Sequence, residues 1–152
     1  GHPDHIQAHR VAMYAASLAA APTFAPDLGP AWAIRKVYWT AMPRGVVQAG
    51  IEALRAMGDD SGFAAQDPND LPYVCDDDLV TTVIDGTEFV ERKMEALAAH
   101  ATQISMDSGF FALSNNLGSQ VMGHEYFRLV HGQAAGPFDE HGRELDLFAG
   151  IE

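Results

Sequence analysis

Three of the chain's seven histidines, His2, His5 and His9, fall within its first nine residues, and Asp4 stands between the first two. Imidazole and carboxylate at this density are the parts of a metal ligand with an acid poised beside it. Pro3 fixes its own φ and pushes the preceding residue out of the helical region, so the spacing predicts His2 in a loop and His5 in the first turn of a helix. Both rings can then meet in one cleft at a helix N-terminus, where the Asp4 carboxylate could take an N–H from one ring and fix its tautomer. His9 follows His5 by four residues, on the same helix face. The plainer reading is a short, exposed, His-rich start. Two histidines do not complete a zinc site, which takes three or four ligands.

Nothing else in the chain completes it. His100 reads as a helix histidine satisfied by its neighbours, and His124, His131 and His141 stand in scattered turn or strand contexts. There is no HExxH, CxxC or Gly-rich phosphate loop. Cys75 is the single cysteine and is followed by Asp76, Asp77 and Asp78, a setting that works against a thiolate nucleophile. Ser114, Asn115 and Asn116 carry hydroxyl and amide groups suited to a sugar, but such a cluster more commonly makes a turn.

The elements that would position these residues alternate. Residues 6–20 have helical composition, with Asp4 as cap and Pro3 in the first turn. "APTFAPDLGP" holds three prolines and a glycine and reads as a loop. "KVYWT" and "LVTTVI" read as strands. Pro43 opens a second helix that turns Val47, Gly50, Ile51, Leu54 and Met57 to one face and stops at Gly58. Residues 58–72 are a polar loop. A helix over residues 87–104 aligns Val90, Met94, Leu97, Ala101 and Ile104, with Lys93, His100 and Gln103 in a second, polar stripe. "EYFRLV" suggests a last strand, and "ELDLFAGI" a terminal segment packed by Leu145, Leu147 and Phe148. Helices alternating with single strands predict an α/β layered fold in one domain over residues 1–152.

Composition narrows the partners. With 47% hydrophobic and 20% charged residues the chain is globular. A formal net charge of −12 argues against nucleic acid, whose phosphates need Lys and Arg clusters. No apolar run approaches the ~20 residues that span a bilayer, so no membrane partner is expected. "ASLAAAPTFA" looks like a secretory h-region but lies behind a charged, His-rich segment. A lone cysteine fits a reducing, cytoplasmic setting.

Five blocks in order, "GHPDHIQAH", "RKVYWTAMP", "KMEALAAHATQI", "FFALSNNL" and "ELDLFAGI", resemble the LmbE-like (PIG-L) family of zinc-dependent N-deacetylases. The similarity covers essentially the whole chain. "YWT" and "LSNNL" favour the branch of mycothiol biosynthesis that removes acetate from N-acetylglucosaminyl-inositol. The S-conjugate amidase branch is the nearest alternative, and a non-catalytic scaffold of the same fold is a second. The resemblance implies the C-terminal part of a Rossmann-like fold, a small amino-sugar substrate and a Zn2+ cofactor, although imidazole and carboxylate suit iron as well.

One departure qualifies the match. A His-Pro-Asp-Asp-Glu block supplies this family with two zinc ligands and the catalytic base, and no such block occurs here. The expectation is therefore a fragment that begins at the second half of an active site, is inactive alone and leaves apolar surface exposed. Carried over by position, His5 resembles the third zinc ligand. His2 resembles the histidine that stabilises the oxyanion and protonates the leaving amine, and Asp4 the carboxylate that orients it. Lys93, His100 and Gln103 match the family's late helix, for which a structural role is expected.

Overall fold

In the computed structural model, which describes residues 2–60 and 62–151 and of Phe110 only the backbone, the chain divides into two compact units. The first runs through Val37 and the second from Tyr38. Gly1, the start of the opening block, lies outside the described residues.

The first unit is built on helix α1 (Pro3–Ala19). Pro3 occupies the first helical position and leaves His2 extended at φ −62° and ψ 138°, as the proline rule requires. His2 thereby becomes the N-cap, and its Nδ1 accepts the Asp4 N–H at 3.2 Å. The sequence reading gave that role to Asp4. The imidazole takes it because the cap is the last extended residue, and a proline at the first helical position fixes which residue that is. No residue of α1 is buried, and Ile6, Val11 and Tyr14 are exposed. After Ala20 the chain turns through a 3-10 helix (Pro26–Leu28) in the proline-rich loop, and Trp32 N–H reaches back to the Ala19 carbonyl at 2.7 Å.

Strands β1 (Val37–Ala41), all but its first residue in the second unit, β2 (Thr82–Asp85) and β3 (His124–His131) form one sheet in the order β1-β3-β2. β2 and β3 pair antiparallel, in register from Thr82 with Phe127 to Asp85 with His124. The fold is mixed α/β with this small sheet. β2 is shorter than "LVTTVI" suggested, because Asp77–Leu79 form a 3-10 turn. The Asp77 carboxylate there accepts the Gly45 N–H, so the acidic run serves the start of the preceding helix instead of a strand.

That helix, α2 (Arg44–Ala56), follows Pro43 as expected and buries Val47, Ile51 and Leu54. Gly50 belongs to the same face, where a Cβ would come within 2.9 Å of Leu113 Cδ2. Met57 departs from the expectation and is 56% exposed, since it is the C-cap residue, past the last full turn. Gly58 follows at φ +73°, the left-handed position a helix stop favours. Leu54, Ala64 and Ala112 form a core cluster with Phe63 and Leu113 packed against it.

The long helix over residues 87–104 is not continuous. A 3-10 turn (Thr87–Phe89) leads into α3 (Val90–Ala98), and Ala99 is its C-cap. Of the expected apolar face Val90 is buried, Met94, Leu97 and Ile104 are partly buried, and Ala101 is exposed. With Ala98, Ala99 and Ala101 facing solvent, propagation past Ala98 gains no burial to offset its ordering cost. His100 and Gln103 fall in the turns beyond, so the polar stripe with Lys93 does not form. Ser114, Asn115 and Asn116 lie in the short helix α4 (Ala112–Leu117) instead of a turn.

At the C-terminal end the burial pattern inverts. Leu145 and Phe148 are exposed at 43% and 76%, while Glu144 is fully buried. Among the described residues no helix is long and apolar enough to cross a membrane.

Candidate active site

The opening motif keeps its compactness. The His2 and His5 rings stand with centroids 5.7 Å apart, tilted at 51°. The helix geometry explains the proximity, because the cap residue and the residue three positions on sit above one another at the end of the first turn. Both rings and Asp4 are exposed, His2 at 65% and Asp4 at 88% of the side chain, so the site opens outward from the helix end. Asp4 Oδ2 lies 3.8 Å from His2 Nδ1, beyond hydrogen-bond distance. What orients the ring is the backbone N–H of Asp4, in place of the expected carboxylate contact.

This has a chemical consequence. A ring nitrogen that accepts a backbone N–H holds a lone pair, so a neutral His2 carries its proton on Nε2. His2 therefore offers an outward N–H donor, and His5 an imidazole lone pair one turn along. Imidazole is a suitable donor for zinc or iron. Among the described residues, however, no group of three His, Cys, Asp or Glu stands close enough together to hold a metal ion.

Elsewhere the second unit uses its charged groups on itself. Lys93 donates to the Met122 carbonyl at 2.8 Å and pairs with Glu125, tying α3 to the start of β3. Arg44 bridges Asp76 and Asn69 at the head of α2. The cleft of about 440 Å3 beside α2 is lined by polar groups such as Arg55, which already donates to the carbonyls of Ala64 and Gln66. Asp139 accepts from the backbone N–H groups of His141 and Arg143 and from the Arg143 guanidinium. Burial pushes its carboxyl up, but those donors outweigh burial and hold it below the ordinary aspartate value.

One residue escaped the sequence reading altogether. Glu144, read as a member of an apolar segment, accepts from Tyr38 Oη at 2.9 Å, Thr82 Oγ1 at 3.0 Å and the Ala135 N–H at 2.8 Å. The sequence offered no signal that set Glu144 apart from its acidic neighbours Asp139, Glu140 and Asp146.

No protein-family model matches the chain. It is similar along 99% of its length to curated proteins named 1D-myo-inositol 2-acetamido-2-deoxy-alpha-D-glucopyranoside deacetylase. Identity is 57% to deacetylase 1 of Catenulispora acidiphila, 56% to the protein of Geodermatophilus obscurus and 51% to that of a Nocardioides species. The matched region is 46%, 51% and 50% of those three proteins, so the chain spans about half the length of the curated relatives it matches.

Proposed function

We propose that the chain is a portion of a cytoplasmic zinc-dependent N-deacetylase of the LmbE-like (PIG-L) type. It acts on the acetamide of an N-acetylglucosaminyl-inositol in mycothiol biosynthesis. The observation that carries the reading is the 57% identity along 99% of the chain to a protein of that name. The exposed imidazole pair at the end of α1 supports the reading, since in it two histidines would form one side of a larger site. The rest of the full-length protein would supply the His-Pro-Asp-Asp-Glu block and the remaining Rossmann-like strands and helices.

When bound, zinc supplies Lewis acidity toward the acetyl carbonyl and acidifies water. His5 would be the residue of this chain that holds it, and the other ligands lie outside the chain. His2 Nε2–H faces the carbonyl oxygen as negative charge develops on it, a contact worth roughly 10²–10³-fold in rate. To protonate the leaving amine His2 must pass through its charged form, in which Nδ1 becomes a donor and can no longer accept from the Asp4 N–H. The Asp4 carboxylate, 3.8 Å away, is the acceptor within reach of a small ring rotation. Asp4 thus catches the charged ring that its backbone releases.

Acetate release by the purified full-length protein from N-acetylglucosaminyl-inositol tests the reaction. The expected result is turnover of that amide well above cleavage of a mycothiol S-conjugate. Preference for the S-conjugate would make the protein an amidase, and cleavage of neither would leave it a scaffold.

A further inference from the structure

Glu144 joins three segments that are distant in sequence. Its backbone extends the sheet at β2: Glu144 N–H donates to Thr81 O at 2.8 Å, and Val83 N–H donates to Glu144 O at 2.9 Å. A turn over residues 135–145 folds on itself, with Leu145 N–H on Pro137 O and Asp139 N–H on Arg143 O. From that added strand the Glu144 side chain runs inward to Thr82 of β2 and Tyr38 of β1, while its second oxygen takes the Ala135 N–H. The sheet order β1-β3-β2 makes β1 and this added strand opposite edges, so one carboxylate is anchored from both sides of β3.

Backbone pairing at a sheet edge is weak, and several apolar side chains near Glu144 stay in solvent. Phe138, Leu145 and Phe148 are exposed, whereas Glu144 is fully buried. Fixing an edge strand by one buried acid is costly unless its lone pairs are satisfied, and here both oxygens accept from neutral donors.

We propose that Glu144 is a latch: its buried carboxylate holds residues 135–145 on the β2 edge as a strap and couples the strap to β1 through Tyr38. The strap is then a unit that opens separately from the β2–β3 pair beneath it.

Amide hydrogen exchange on the full-length protein tests this. In Glu144→Ala the amides of Val83, Glu144 and Leu145 should exchange about 10- to 100-fold faster, the size expected for losing hydrogen bonds to a charged group. Thr81 N–H, which donates to Phe127 O in the β2–β3 pair, and Gly86 N–H, on Gly123 O, should keep their protection. Glu144→Gln should restore most of the protection, because its amide oxygen can accept the Ala135 N–H while its NH2 faces the two hydroxyls. If Glu144→Ala does not fold, Tyr38→Phe decides, with a smaller acceleration at the same three amides. Unchanged strap amides, or a rise shared equally by Thr81 and Gly86, would overturn the latch.

Discussion

Residues 2–37 and residues 38–151 hold their functional groups in different ways. In the first unit the motif side chains are ordered by purely local rules: a proline that fixes its neighbour, a cap bond over two residues and a second ring placed one turn along. No residue of α1 is buried. In the second unit order comes from long-range contacts, with Phe111, Leu54 and Ile51 at 1% exposure or less and Glu144 anchored 106 residues away on Tyr38. Local rules thus order side chains at a helix end without any burial, whereas the second unit orders its groups through a core.

The sharpest break of this contrast is in stability. Phe111→Ala should cost about 3–5 kcal/mol, the loss typical of a fully buried aromatic side chain. In the same 152-residue chain Tyr14→Ala on the open helix should stay within about 0.5 kcal/mol. Denaturant melts of both variants check the pair, and equal losses would mean that α1 is packed as tightly as the core.

A smaller effect separates local from long-range ordering within the second unit. Asp139 is held below the ordinary aspartate value of 3.8 by donors only two and four residues away. A carboxylate whose folded value is depressed adds stability above its unfolded value and loses it as pH falls through the folded one. The melting-temperature gap between the parent chain and Asp139→Asn should therefore be full above pH 3.8 and close below it. A gap that persists unchanged into acid would assign the effect of Asn to shape, not charge.

How much was legible follows the same division. His2 in the extended region and His5 in the first turn came directly from Pro3, since a proline acts on its immediate neighbour and nothing distant can override it. β1, β3 and the face of α2 were readable from β-branched runs and helical spacing. The length of the helix after Val90 was not, because an alanine-rich continuation has good propensity, and only the absence of a surface to bury it stops the helix at Ala98. Glu144 was invisible for the complementary reason. Its partners Tyr38 and Thr82 stand 106 and 62 residues away, and no spacing rule reaches that far. At His2 the sequence named only the Asp4 carboxylate, and it gave no signal that the backbone N–H of the same residue bonds Nδ1 while the carboxylate stands 3.8 Å away.

The central claim is the split of roles between two adjacent imidazoles, and metal content measured beside turnover tests it most directly. In the full-length protein, His5→Ala should lose zinc and activity together, because removing one of three protein ligands opens the site to exchange. His2→Asn keeps a side chain able to cap α1, so it should retain zinc per chain at the parent level while the maximal rate falls roughly 10²–10³-fold. Equal zinc loss in the two variants would contradict the account, making both histidines ligands and leaving the oxyanion donor to another residue.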